Sequence, residues 1–267
     1  MSTLRSLLNV RTVQATRYVT PLREGGSLPA IMEADDDGLY VVKFRGAGQG
    51  PKSLVAEIIS GEIGRALGLR VPEIVIIDVD GALSNAEPDP EIQDLLRKSA
   101  GINVGIDFLP GSLAFVPNGK SGIDSQFATS VVWFDALVMN VDRTARNPNM
   151  LVWHGQPWLI DHGASIYVQH ITPDFADRAG SPFAQIADHV LLPWVGDIHE
   201  TGDELSSTLT PDLVELIVSM VPAELIGEGS PGEITLFRER YRQFFLDRIA
   251  GRRVFEEEVA RARAVSL

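Results

Sequence analysis

The chain of 267 residues contains no cysteine, which removes disulfides, thiolate nucleophiles and cysteine-type zinc sites together. Positive charge is scarce as well: 23 Lys plus Arg stand against 36 Asp plus Glu, for a formal charge of −13. Such a chain repels a phosphate backbone, so direct nucleic-acid binding is not expected. No stretch approaches the roughly 20 apolar residues that a membrane helix needs. The longest, around Val131–Met139, carries Asp135. The N-terminus shows neither a signal core nor a small-residue cleavage site. A cytoplasmic protein with no membrane insertion is the expectation. Gly-x-Ser-x-Gly and His-Glu-x-x-His are both missing, which leaves hydrolase and zincin readings unsupported. Asp78-x-Asp80-Gly81 opens like a calcium loop but lacks the closing glutamate. His154, His162 and His170 recur every eight residues, a spacing that matches no zinc motif.

What is present is an ordinary core supply. Hydrophobic residues make up 45% and charged residues 22%, enough for one generous domain or two small lobes sharing a cleft. The first hundred residues alternate short β-type runs with one clear helix. Val13–Val19, Pro29–Met32 and Leu39–Phe44 read as strands, the last two joined by the Asp-Gly turn Asp35-Asp36-Asp37-Gly38. Gly46, Gly48 and Gly50 form a strand-to-helix connection without the βαβ setting of a dinucleotide fingerprint. A helix from about Ser53 to Leu67 ends at Gly68, and the β-branched run Ile74–Val79 follows Pro72. A short helix is expected after Asp89-Pro90, an N-cap with proline behind it. Gly105–Gly111 reads as an extended connector between lobes. Beyond it the sequence predicts an apolar helix (about Ser125–Met139), a polar loop (Asn140–Asn149), strands Met150–Trp153 and Pro157–Ile160, and a mostly helical remainder. The last helical pattern runs from Glu233 to about Arg261.

Candidate chemistry begins with Lys43, one of four lysines against nineteen arginines. It lies in the apolar strand Tyr40-Val41-Val42-Lys43-Phe44 and shares a face with Val41 by alternation. Read alone, it is either an edge-strand lysine reaching for solvent or an ammonium aimed at a specific partner. The next helix offers Glu57 and Glu62 as partners for an ion pair that would aim the ammonium at phosphate oxygens. Asp142 and Asn147 have an Asp-x4-Asn spacing, but so do Asp80/Asn85 and Asp135/Asn140. Context separates them. Asp135/Asn140 runs through a helix and its end, and Asp80/Asn85 has no further acidic ligand nearby. Asp142 alone follows an apolar helix and precedes a strand–turn–strand that ends in Leu159-Ile160-Asp161-His162-Gly163. Phosphoryl transfer needs one carboxylate to orient the nucleophile and oxygen ligands for magnesium, and this ordered set supplies both. Taken singly, each of these residues is equally explained by turn chemistry. Arg23-Glu24-Gly25-Gly26-Ser27, between two strands, has backbone N–H groups suited to phosphate.

With Lys43, Glu57, Asp142, Asn147 and Asp161 in this order, the chain resembles the HipA-like kinases, bacterial relatives of the phosphatidylinositol kinase fold. The likeness is densest in three stretches. One is Leu39–Phe44, and another runs from Val55-Ala56-Glu57 to Ala66-Leu67-Gly68-Leu69-Arg70-Val71-Pro72. The third is Asn140-x-Asp142-Arg143-x-x-Arg146-Asn147 with Leu159-Ile160-Asp161-His162-Gly163.

The resemblance implies an α+β, bilobal protein kinase-like fold, with a β-rich N-lobe (1–105), a mostly helical C-lobe (106–267), and ATP and Mg2+ between them. It implies that Lys43 contacts ATP phosphates and that Glu57, rather than Glu62, orients it. Asp142 would be the catalytic base, with Asn147 and Asp161 as metal ligands. Ile106–Phe108 would offer backbone groups to adenine, and Gly25, Gly26 and Ser27 would cover the phosphates. Larger toxin members carry an N-terminal region for a DNA-binding antitoxin, a role not expected here. Asp161-His162-Gly163 stands where ordinary protein kinases have Asp-Phe-Gly, so a Phe-based switch is not expected either. The expected activity is ATP-dependent phosphotransfer to a Ser/Thr hydroxyl of a protein substrate. The rivals are a small-molecule or lipid kinase on the same fold, and a nucleotide-binding pseudokinase serving as an interaction module.

Overall fold

The computed structural model describes residues 8–22, 28–48, 50–117, 123–227 and 230–265. Five runs rich in branched apolar residues form strands: β1 (Thr12–Pro21), β2 (Ala30–Ala34), β3 (Leu39–Lys43), β4 (Ile74–Val79) and β5 (Gly101–Asp107). They close into a barrel in the order β1-β2-β3-β5-β4, sealed by a parallel pairing of β1 with β4. Met32, Tyr40, Val42, Phe44, Val75 and Ile77 fill its interior. Alternation therefore sends Val41 and Lys43 to the other face of β3, opposite Ile106 and Val104 of β5.

The strand β5 begins four residues before the extended piece expected over Gly105–Gly111 and ends at Asp107. Gly101 and Gly105 dilute its apolar pattern, yet it pairs with both β3 and β4. Gly105 is there because a Cβ would stand 2.9 Å from Val75 Cγ2. The last barrel strand ends at Asp107.

Helix α1 (Pro51–Ala66) starts two residues before the predicted Ser53, with proline in its first turn. Its apolar side chains, from Leu54 to Ile63, join the same core as the helices that follow β5. Helix α2 (Pro90–Lys98) is capped by Asp89, whose side chain accepts from Glu91 N.

Beyond the barrel, helix α3 (Ser125–Leu137) is wrapped by apolar side chains and is the axis of the second lobe. Strands β6 (Leu113–Ala114), β7 (Met150–Trp153) and β8 (Gln156–Leu159) form a small sheet beside it. Residues 163–197 depart from the helical expectation: they hold only short 3₁₀ turns and one bridge residue, His189, with Pro173 and Pro182 lying between turns. The lobe is completed by α4 (Ile198–Thr208), α5 (Pro211–Ser219), α6 (Ala223–Ile226), α7 (Pro231–Ala250) and α8 (Arg253–Val265). The single C-terminal helical pattern is thus two helices, because the chain breaks at Gly251, the C-cap of α7. No helix among the described residues is long and apolar enough to cross a membrane.

The C-terminal helix is fastened to the lobe's axis by one buried carboxylate. Glu256 accepts from Trp133 Nε1 at 2.9 Å and pairs with Arg253 at 2.8 Å and Arg252 at 3.3 Å. Gly202 of α4 lies against this junction. A Cβ there would overlap Glu256 Oε1 and stand 2.6 Å from Trp133 Nε1. Gly202→Ala is therefore expected to cost about 1–3 kcal/mol, the range for overpacking a filled interior. Thermal unfolding beside Gly180→Ala, whose added Cβ meets nothing within 4 Å, checks this. Equal melting points for the two variants would refute the packing argument.

Candidate active site

Lys43 ends β3 on the face turned away from the barrel interior. Its Nζ donates to Glu57 Oε2 and to Asp161 Oδ1, each at 2.5 Å. Glu57 sits mid-way along α1 and is 1% exposed, while Asp161 follows β8 with its carboxylate half exposed. Burial alone would lower the Lys43 pKa, but Glu57 and then Asp161 outweigh it and raise it above the ordinary lysine value. Burial likewise pushes the Glu57 carboxyl up. Lys43 and then His162 outweigh that effect and hold it well below the usual carboxylate range. Both groups are charged at neutral pH. Glu62, the other candidate partner, is instead paired with Arg65 at 2.9 Å.

The loop after α3 brings the second half of the set together. The backbone N–H of Asp142 donates to Asn140 Oδ1 at 3.1 Å. Its Oδ2 accepts from Asn147 Nδ2 at 2.8 Å and from Asn149 Nδ2 at 3.1 Å. Asp161 has φ 57° and Asn149 φ 47°, so both flanks of the β7–β8 hairpin meet the site in left-handed backbone.

Beneath the loop lies a network that sequence reasoning passed over. Asp135 of α3 is fully buried, with Arg143 Nε at 2.5 Å, His189 Nε2 at 2.9 Å and Asn140 Nδ2 at 2.9 Å. Arg143 also donates to the carbonyl of Asn149 and, at 3.4 Å, to that of Ile160. One guanidinium thus joins α3, the loop that carries Asp142 and the residue before Asp161. Burial would raise the Asp135 carboxyl, but Arg143 and then His189 hold it well below its ordinary value. Burial lowers the His189 pKa against the pull of Asp135. Its Nδ1 accepts from Leu191 N at 3.0 Å, so the neutral imidazole uses both nitrogens. His162, to which the sequence assigns no partner, is buried, 3.4 Å from Glu57 Oε1 and edge-on to Phe134.

The barrel and the β6–β8 sheet enclose a cleft of about 580 Å³. Val41, Ile106, Phe108, Leu151 and Ile160 line it, with Lys43 and Asp161 among the same walls. Ile106 is a barrel residue paired opposite Val41, and Phe108 donates its N–H to Leu39 O at 2.9 Å. That N–H is spent on the barrel, and Phe108 also forms part of the cleft wall. Gly25, Gly26 and Ser27 lie outside the described residues.

The profile of the HipA-like kinases matches residues 16–178, well over half of the sequence. The chain belongs to the HipA-like kinase family. Among solved structures it is similar to the Helicobacter pylori proinflammatory kinase CtkA, at 14% identity and a TM-score of 0.60, covering 97% of this chain and 100% of that one. It is also similar to the Golgi casein kinase with Mn/ADP bound, at 13% identity and a TM-score of 0.50, covering 93% of this chain and 76% of that one. At these identities the likeness shows the fold: a bilobal kinase, β-rich in the N-lobe and mostly helical in the C-lobe. No curated protein matches the sequence.

Proposed function

We propose that this HipA-like kinase transfers the terminal phosphoryl group of Mg·ATP to a serine or threonine hydroxyl of a protein. The observation that carries the proposal is the pairing of Lys43 with both Glu57 and Asp161 at one cleft. Its apolar walls suit a heteroaromatic base, and an ammonium held between two carboxylates suits phosphate oxygens. The donor set fits a hard divalent cation. Asn147 donates through Nδ2, which leaves its Oδ1 as an oxygen ligand, and Asp161 bonds Lys43 through Oδ1, which leaves Oδ2. Bound there, Mg2+ would neutralise phosphate charge.

This chain's own residues divide the remaining work. Lys43 holds phosphate oxygens, and Glu57 keeps the ammonium aimed. The barrel residues up to the end of β5 present the nucleotide, and the residues beyond present the base. Asp142 takes the proton from the acceptor hydroxyl as its oxygen bonds to phosphorus and the bond to the diphosphate leaving group breaks. Holding reactants in line, with charge neutralised, is most of what phosphoryl transfer asks of a protein.

Radiolabelled ATP, offered to the protein alone, then with lysate, then with lipid extract, tests the reading. Labelled protein supports it, whereas label in a small molecule or lipid replaces the acceptor class. No transfer under any condition returns the chain to nucleotide-binding interaction modules. Lys43→Met is expected to cut transfer roughly a hundredfold, since the whole phosphate contact goes. Glu57→Gln should cost less, because the ammonium stays but loses its aim. Wild-type turnover in Lys43→Met would remove Lys43 from the site.

A further inference from the structure

Helix α1 carries Glu57, yet its own first turn is poorly anchored. It begins at Gly50, with φ 65°, and no side chain caps it. The opposite lobe does not cap it but ties Lys52, in that first turn, by other bonds. Gln169, 1% exposed in the short 3₁₀ turn Tyr167–His170, accepts from Lys52 Nζ through its backbone carbonyl at 2.7 Å. Its side-chain Nε2 donates back to Lys52 O at 3.3 Å and to Ser165 O at 3.5 Å. The side-chain oxygen of Gln169 accepts from Tyr241 Oη, on α7. Tyr241 is itself 1% exposed and packed between Phe175 and Phe237. One residue therefore holds Lys52 twice, through its backbone carbonyl and its side-chain amide, and that amide is held in turn by a tyrosine locked into α7.

We infer that Gln169, backed by Tyr241, is a positioning residue that sets the start of α1 and thereby the placement of Glu57 against Lys43. Neither touches the cleft, and the inference rests on Lys43 being the phosphate contact. A buried amide fully used by hydrogen bonds fixes one geometry, because any shift leaves polar groups unpaired. Lys52 is five residues before Glu57, so a turn that slips at its start moves the carboxylate that aims the ammonium. Small displacements of this kind are costly in a reaction that depends on alignment.

Two variants of the full chain test the inference, Gln169→Leu and Tyr241→Phe, the second removing a single hydroxyl in case the first folds poorly. Hydrogen exchange reads the helix directly. Amides of residues 54–57 are expected to exchange roughly tenfold faster in Gln169→Leu, and by less in Tyr241→Phe, while the middle of α3 is unchanged. Among folded molecules the KM for ATP should rise roughly tenfold in Gln169→Leu, with kcat falling less. A lower melting temperature with wild-type exchange at 54–57 and wild-type KM would overturn the inference, since a merely structural glutamine behaves so. Lys43→Met distinguishes this failure from failure of the phosphate reading. If that variant keeps wild-type nucleotide affinity, the phosphate contact is wrong, and the exchange result still reports on Gln169.

Discussion

Asp142→Asn is expected to lose turnover by roughly a thousandfold, as removal of a general base does, while Mg·ATP binds as before. The geometry favours this clean separation. Asp142 Oδ2 accepts from the amides of Asn147 and Asn149, and an asparagine at 142 can turn its own carbonyl to the same two donors. The loop keeps its shape and only the basicity is gone. Asp161→Asn should behave differently. Its carboxylate bonds Lys43 and stands half exposed beside the cleft, so its loss weakens metal-dependent nucleotide binding and abolishes transfer together. Calorimetric Mg·ATP titration of both variants, beside phosphotransfer assays, makes the comparison. A contact made in the transition state shows in turnover alone, and a ground-state contact shows in binding. Full activity in Asp142→Asn would mean the base lies elsewhere. Wild-type Mg·ATP affinity in Asp161→Asn would end the metal assignment.

Arg143→Leu should be the most destabilising single change in the second lobe, by about 3–5 kcal/mol, the cost of stranding one partner of a buried ion pair. Asp135 would keep a buried charge with only His189 and Asn140 beside it, and the carbonyls of Asn149 and Ile160 would lose a donor. Arg143→Lys is expected to recover part of this, since a point charge cannot reach carboxylate and both carbonyls as the fork does. Urea unfolding of the three proteins ranks them.

The same network sets a pH dependence. Asp135 has a depressed folded pKa, so its stabilisation is present above the ordinary 3.8 and is lost as pH falls toward the folded value. His189 acts at milder pH. Its folded pKa lies below the ordinary 6.5, so on acidification the unfolded chain takes up a proton first and stability falls below that pH. His189→Gln keeps a donor for Asp135 without the titration. Its unfolding midpoint should fall less steeply than that of wild type as pH drops below about 6.5.

The ordered set Lys43, Glu57, Asp142, Asn147 and Asp161 was legible because each member lies in a short stretch with its own pattern. Lys43 interrupts an apolar strand, Glu57 falls on a clear helix, and Asp161 ends an apolar run. Asp135, Arg143 and His189 offered no such handle. Asp135 and His189 are 54 residues apart, and no local period brings them together. Asp135/Asn140 was dismissed as a helix and its end, which is where the two residues are; their value comes from what packs beneath the loop. Strand β5 is hidden by its two glycines: Gly105 is required by Val75 on the neighbouring strand, and Gly101 has φ 95°. Residues 163–197 show the limit of composition: their apolar side chains feed the core from short 3₁₀ turns, with Pro173 and Pro182 between them.

In many kinases an αC-type helix is a lever; here α1 is a fixture. Twelve of its sixteen residues are buried, on every side of the helix rather than on one stripe, so it has no outer face on which to pivot. Carrying Leu54, Val55, Ile58, Ile59 and Ile63 into water would cost roughly 7–15 kcal/mol, taking each as a fully buried aliphatic side chain. An effector able to turn a two-state equilibrium from one side to the other supplies about 5.5 kcal/mol. The swung-out state is thus beyond the reach of an ordinary ligand, and Lys43 stays paired with Glu57 whenever the protein is folded. Control over such an enzyme has to be exerted from outside that helix, by how much of the protein exists or by what blocks the mouth of its cleft.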